Sequence, residues 1–368
     1  MNKATMVSKT QNLQQYKIKN LWQKQVYNRF IASFLLFFIM SCSALHPEPY
    51  YFGAKSDHFN GKVFVSDVEE KISDYVTILS TSKDFWGSQG EEFKPTKIDS
   101  SRPINRARIT FIGHSTTLIQ LAEMNILTDP IFSNRAGPIP LPLFSPKRHY
   151  QPGLEFEKLP HVDYVLLSSN SYYHMDIPSI KKLHKKFKPM FVTGLGNCYY
   201  LNMVRSLDLQ CVELDWNRVI DLGYETKLYF LKAKNFSKRD GFDKNKVLWG
   251  SFAIMSQQIK IFFAGDTGFS KHLIKIGQNV GPFDVALLPI GSYEPREVLS
   301  KNHLTPEDAI RAHNALGAMK SIGIHFNTFQ TTAEGYYDSL IELEELKKVY
   351  EIKLEEFIAP KFGEVFEL

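Results

Sequence analysis

Cysteine is scarce in this chain, three in 368 residues, which excludes a disulfide-stapled scaffold. Acid is missing from the first 29 positions, which carry Lys3, Lys9, Lys17, Lys19, Lys24 and Arg29, a local charge of +6. No P-loop, dinucleotide fingerprint or zinc-finger spacing occurs, so the motif-defined nucleotide-binding classes are set aside. The chain has 44 Lys and Arg against 39 Asp and Glu, and removing the first 29 residues leaves 38 against 39. The body therefore has no positive excess with which to attract a polyanion, and a nucleic-acid partner is not expected. With 43% hydrophobic and 23% charged residues, a disordered or fibrous chain is equally excluded.

What is present begins with an address. The basic stretch is followed by FIASFLLFFIM at 30–40, an apolar run well short of the roughly 20 residues that span a bilayer. Basic, then apolar, then small residues is the layout of a secretory signal. IMSC at 39–42 resembles a bacterial lipoprotein cleavage box, in which Cys42 would be acylated and the protein held at the cell envelope. A cleaved signal or uncleaved anchor, with Cys42 incidental, is the alternative. The remaining cysteines, Cys198 and Cys211, read as ordinary thiols, since nothing in their spacing pairs them. The expected organisation is a signal or anchor segment at 1–41, a wrapping segment at 42–105 packed on the main domain, and a main domain at 106–368.

From residue 106 the chain alternates short β-type runs with a few helices. Strands are expected at 108–112, 117–121, 125–127, 162–167, 190–193, 227–232, 247–255, 260–264, 285–289 and 321–324. Helices are expected at 177–187, at 306–316, where proline opens the first turn, and at 341–349. Strands mixed with helices in this way argue a layered α/β fold with two sheets.

Several strand-like runs end on polar residues that could bind a metal. His174 lies in VLLSSNSYYHMD (165–176), Asp266 in FFAGDTGFS (262–270), His303 in NHLTPEDA (302–309) and His325 in HFNTF (325–329). A single histidine in a loop is most simply a structural hydrogen-bonding group. Three such residues ending separate strands form a workable ligand set for zinc or another divalent ion, with room for water at an open position. Spacing by itself does not bring them together. His58 and His149 read either as structural groups or as part of the substrate side, His46, His161, His184, His272 and His313 as packing or solvent-facing groups, and the Lys181–Lys186 charge run as a solvated helix face.

The longer motifs are more specific. FIGHSTTLIQ (111–120), ILTDPIFSNRAGP (126–138), LPHVDYVLLS (159–168), VELDW (212–216), DKNKVLWGSF (243–252) and LLPIGSYEPR (287–296) join the four above. Together they make the chain, from about residue 50 onward, resemble the metallo-β-lactamase-fold hydrolases, in the branch of N-acylphosphatidylethanolamine-hydrolysing phospholipase D and its bacterial relatives. The resemblance implies a four-layer αββα sandwich with a metal centre at the edge of its two sheets.

Carried over residue by residue, the resemblance implies a damaged site. The family's His-x-His-x-Asp-His signature falls on Ser169, Ser171, Tyr173 and His174, and a further family histidine falls on Asn235 in KAKNFS (232–237). Asp266 and His325 are retained as ligands, and His303 as an active-site histidine beside the substrate. His114 in GHST would support the ligands from behind. One metal of the pair keeps only Asp266. The other keeps His174, Asp266 and His325 and loses a carboxylate to Tyr173. The resemblance thus implies at most one zinc ion. Two readings follow: an impaired or inactive relative that binds a phospholipid or small molecule, or a single-zinc hydrolase of an ester-like substrate using Asp266 and His303.

Overall fold

The computed structural model describes residues 49–69, 71, 73–74, 77–78, 81, 86, 107–121, 123–138, 145–240 and 242–368. The signal segment expected at 1–41 and the lipidation position Cys42 lie outside the described residues. One compact unit comprises Pro49–Arg239 and Asp243–Leu368.

Two seven-stranded sheets carry the fold. The first begins with β1 (Arg108–Gly113), β2 (Thr116–Leu121), β3 (Met124–Thr128), β4 (Tyr164–Leu167), β5 (Met190–Gly194) and β6 (Cys211–Leu214). The second contains β7 (Arg218–Gly223), β8 (Thr226–Leu231), β9 (Ser251–Met255), β10 (Lys260–Phe263), β11 (Val285–Pro289), β12 (Lys320–Ile324) and β13 (Phe357–Ile358). A last strand, β14 (Val365–Glu367), returns to the first sheet and pairs antiparallel with β1. In each sheet an antiparallel meander leads into parallel strands: β1–β2–β3 then β3–β4–β5–β6, and β7–β8–β9–β10 then β10–β11–β12–β13.

Among the described residues four helices of at least 9 residues accompany the sheets: α1 (Ile177–Phe187), α2 (Lys271–Asn279), α3 (Pro306–Leu316) and α4 (Asp338–Val349). The side-chain alternation of a strand explains the layering. Leu166 of β4 and Val192 of β5 join the larger core with Phe230, Phe252 and Phe263 of the second sheet. Their neighbours Val165, Leu167 and Phe191 pack instead with Ile177, Ile180 and Leu183 of α1. Leu273 of α2 and Ile310 and Leu316 of α3 belong with the second sheet's core. With both faces buried, β4 and β11 need apolar residues at nearly every position, which is why they read as unbroken runs. The result is the αββα sandwich.

Helix boundaries follow local chemistry. Thr305 caps α3, its hydroxyl accepting from the Asp308 N–H at 3.0 Å, and Pro306 opens the first turn. Gly317 closes it at φ 60°. Before Pro49 nothing is described, but Phe59 and Phe64 are already part of the larger core.

Two expectations need correction. The strand expected from 247 starts only at Ser251, because residues 248–250 bridge between sheets: Leu248 N–H donates to the Leu195 carbonyl at 2.8 Å and Gly250 N–H to Ser168 at 2.9 Å. Strand β7, an exposed edge with little alternation, and helix α2 had no clear sequence signal. Cys198 and Cys211 are also not free thiols. They form a disulfide, because the helical turn after β5 brings Cys198 back against β6, the parallel neighbour of β5. The Glu213 carboxylate of β6 holds that turn by accepting the N–H groups of Cys198 at 2.6 Å and Tyr199 at 3.3 Å.

The disulfide spans 13 residues of sequence, and cross-linking a loop of that size stabilises a fold by about 3 kcal/mol. A paired Cys198→Ser and Cys211→Ser variant is expected to lose stability on that order in denaturant melts, with no further effect of reductant. A second expectation concerns His272 in the first turn of α2, where its ring bonds Ser270 Oγ at 2.7 Å and Thr267 Oγ at 3.2 Å. Burial, then Lys232 and Lys234, pull its pKa down from 6.5 to about 4, and the positive helix N-terminus opposes charge there as well. In that window the unfolded chain binds a proton that the folded ring refuses, so stability present above pH 6.5 is lost as the pH falls towards 4. The loss amounts to at most about 3 kcal/mol. Guanidinium melts of His272→Gln at the two ends of the window should show a smaller pH dependence than the parent.

Candidate metal centre

The polar residues gather where strands end. In folds with parallel strands, ligands bind outside the carboxyl ends. Here β3 ends at Asp129, β4 leads into the 168–176 loop, β10 leads through Gly265 to Asp266, and β12 ends at His325. His114 joins them from the turn between β1 and β2.

Asp129 organises the first part of the site. It is fully buried, and its carboxylate accepts from Ser168 N–H at 2.7 Å, from Ser168 Oγ at 2.5 Å and from His174 Nδ1 at 2.7 Å. That bond fixes the His174 tautomer and turns Nε2 inward. Burial opposes a charge on His174, but Asp129 and then Asp266 outweigh it and hold the pKa above the ordinary value.

His325 and His114 are locked to each other through the backbone. His325 N–H donates to the His114 carbonyl at 2.8 Å, and His114 N–H donates to Thr328 Oγ at 2.6 Å. Both residues adopt left-handed backbone, φ 62° and 55°, a conformation uncommon outside glycine. Gly113 before them is obligatory: at φ 140° a Cβ would meet the Phe362 ring at 2.9 Å. The His325 and His114 ring centroids lie 4.0 Å apart, and His325 Nε2 is 3.2 Å from His174 Nε2. Burial pulls His325 down to about 3 against the attraction of Asp266. Burial, then the neighbouring His325 and His174, also hold His114 well below its ordinary value.

Asp266 completes the group. One carboxylate oxygen pairs with His303 Nδ1 at 2.7 Å, and the other lies 4.0 Å from His174 Nε2. Burial would raise its pKa, but the rings of His303, His325 and His174 together hold it well below the usual carboxylate range. Glycine is needed at 265, where a Cβ would stand 2.5 Å from Ser168 Cβ at φ 62°.

His174, Asp266, His303, His325 and His114 are therefore brought together. The positions to which the resemblance assigns further ligands behave differently. Asn235 is buried and its amide is bound into the scaffold: Nδ2 donates to the Asp266 carbonyl at 2.9 Å, and Oδ1 accepts from Phe236 N–H at 2.8 Å. Ser169 Oγ lies 3.4 Å from the Ser171 N–H. Tyr173 packs against the rings of His114 and Phe329, and burial pushes its hydroxyl up to about 12. Hydroxyl and amide groups are poor zinc donors beside imidazole, so Ser169, Ser171 and Asn235 do not fit a second ion.

One ion does fit. His114, His174 and His325 each offer a ring nitrogen, all three within 4.8 Å of one another. Both ring nitrogens of His114, and Nδ1 of His325, are buried without a hydrogen-bonding partner. Asp129 and Thr328 were not singled out from the sequence. The strand-end position of Asp129 within ILTDP was the available sign, whereas the role of Thr328 has no local signature.

Reinstating the family's ligands tests this assignment. The combined variant Ser169→His, Ser171→His, Tyr173→Asp and Asn235→His is expected to bind one zinc ion more per chain than the parent, by elemental analysis after dialysis. An unchanged ratio would mean that these positions have been wrongly mapped.

A family model described as Beta-lactamase superfamily domain matches residues 124–326. N-acyl-phosphatidylethanolamine-hydrolyzing phospholipase D 1 of Caenorhabditis elegans is 32% identical over 269 residues, covering 70% of this chain and 75% of that protein. Outer membrane protein RomA of Klebsiella pneumoniae is 34% identical over 91 residues, 25% of this chain and 67% of that protein. Among solved structures, isothiocyanate hydrolase from Delia radicum gut bacteria aligns with a TM-score of 0.57 at 19% identity, over 71% of this chain and 100% of that one. A family model covering more than half of the sequence, a relative 32% identical over 70% of the chain and a solved structure of similar fold lead to one assignment: the chain belongs to the β-lactamase superfamily, has the metallo-β-lactamase fold and is similar to the phospholipases D that hydrolyse N-acylphosphatidylethanolamine.

Proposed function

We propose that this chain is an envelope-attached, phospholipase-D-like member of the family in which two-metal phosphodiester hydrolysis is lost, leaving a protein that binds a phospholipid or small molecule and holds at most one zinc ion. The observation that carries this reading is Asn235. At a position where the family resemblance calls for a ligand, its side chain braces the Asp266 carbonyl instead. Serines at 169 and 171 remove the other imidazoles of that half-site. In two-metal sites the pair clamps both the attacking and the leaving oxygen of a phosphodiester, and a site reduced to one ion would lack that clamp.

A second reading, a single-zinc hydrolase of a less demanding ester, is favoured by the cluster of His114, His174 and His325 and by the His303–Asp266 pair. Zinc bound by those rings would supply Lewis acidity towards a substrate oxygen. Asp266 fixes His303 through Nδ1, leaving Nε2 as the ring atom that takes or gives a proton. Tyr173, Phe329 and Ile131 form an apolar wall beside the rings and limit water there.

Attachment to the envelope is supported by the basic and apolar amino terminus, by the likeness to an outer membrane protein over part of the chain and by the disulfide, a bond that persists in oxidising compartments. Among the described residues no helix is long and apolar enough to cross a membrane, so attachment rests on the amino-terminal segment.

The full chain in detergent, loaded with zinc and given N-acylphosphatidylethanolamine in mixed micelles, is expected to release no more phosphatidic acid than a heat-denatured sample. The C. elegans relative serves as the positive control. Zinc-dependent release that disappears in Asp266→Asn would overturn the proposal.

A further inference from the structure

We infer that His114 has become a metal ligand, so that a single zinc ion is held by the imidazoles of His114, His174 and His325 instead of by the set that the family resemblance carries to Tyr173, His174, Asp266 and His325. The inference rests on the single-ion reading above and deepens it by fixing the ligand set and the part played by Asp266.

Four observations converge on it. His114 is almost wholly buried, 1% exposed, with both ring nitrogens unpartnered. A buried polar group without a partner is costly and uncommon, and a cation facing the lone pair of a neutral imidazole would satisfy one of the two nitrogens. The backbone of His114 is held in the left-handed region by bonds to Thr328 and His325, which fixes the ring beside His325. The His174 and His325 nitrogens lie 3.2 Å apart, close to the roughly 3.3 Å edge of a tetrahedron with zinc–nitrogen bonds of about 2.05 Å. Asp266, the alternative donor, already engages His303 at 2.7 Å, and Tyr173 puts an aromatic ring against His114 where the family has its carboxylate.

Three imidazoles are a complete protein ligand set for zinc with a fourth position open. His114 would thus stand in for the carboxylate by an imidazole reaching in from the β1–β2 turn of the same sheet. His174 would keep its support from Asp129, and His325 its position at the end of β12. Asp266 would serve as the partner of His303 and no longer as the bridging ligand.

X-ray absorption at the zinc edge of the full-length, zinc-loaded protein reads the donor set directly, because imidazole rings give a countable multiple-scattering signal. Three imidazoles are expected in the parent and two in His114→Gln. Competition with a chelator should show zinc held at least about 100-fold more weakly in that variant, beyond what loss of a merely supporting residue costs, while Asp266→Asn weakens it by less than about 10-fold. Two imidazoles in the parent, or equal affinity of parent and His114→Gln, overturns the inference and leaves the single-ion reading intact. If His114→Gln fails to fold, judged by near-ultraviolet circular dichroism, the count in the parent decides alone. A parent that retains no zinc above background overturns both this inference and the single-ion reading, whereas the phospholipid assay bears separately on loss of hydrolysis.

Discussion

The buried bond between Asp129 and His174 is the constraint from which the rest of the centre follows. A carboxylate with no exposure is tolerable only when its oxygens are filled, and Asp129 fills them with the Ser168 backbone, the Ser168 hydroxyl and the His174 ring. In doing so it joins the end of β3 to the loop after β4 and sets the inward nitrogen of His174. Ser168 in turn takes the Gly250 N–H on its carbonyl and faces Gly265, so the same knot reaches the second sheet immediately before Asp266. Loss of Asp129 would disturb ligand orientation and sheet-to-sheet contact together.

The two parts of the centre differ in what their side chains do. On the side of 169, 171 and 235 small polar groups hydrogen-bond to the scaffold, and Asn235 holds the Asp266 loop in place. On the other side imidazoles gather: His174 is oriented by Asp129, while His114 and His325 are tied to each other through the backbone. A side chain that satisfies the local backbone keeps the fold intact whether or not it can hold a metal.

Much of the architecture was legible in the sequence because the relevant forces are local. Helix α1 and helix α3 match their expected bounds, since proline at the first turn and apolar spacing are short-range signals. Strands β4, β5, β11 and β12 were visible as apolar runs because they are buried on both faces. Strand β7, an exposed edge, and the 247–250 segment, held by contacts from distant strands, were not. Among the site residues, His174, Asp266, His303 and His325 could be picked out because each follows or lies near a strand-like run, and the resemblance to a family gave them a common purpose.

The sequence by itself determined the alternation of strands and helices, the neutral body behind a basic amino terminus, and which residue types stand at 169, 171, 173 and 235. These depend on residue identity and nearest neighbours. Only the tertiary structure decided that Cys198 meets Cys211, that Asn235 braces Asp266, and that His114 turns from a supporting residue into a member of the ring cluster. Each of those outcomes depends on atoms brought within bonding distance from segments far apart in the chain, or, for the cysteines, on a turn whose path is set by the pairing of β5 with β6. No spacing rule encodes such convergence, because packing of the two sheets and the helices around them sets it.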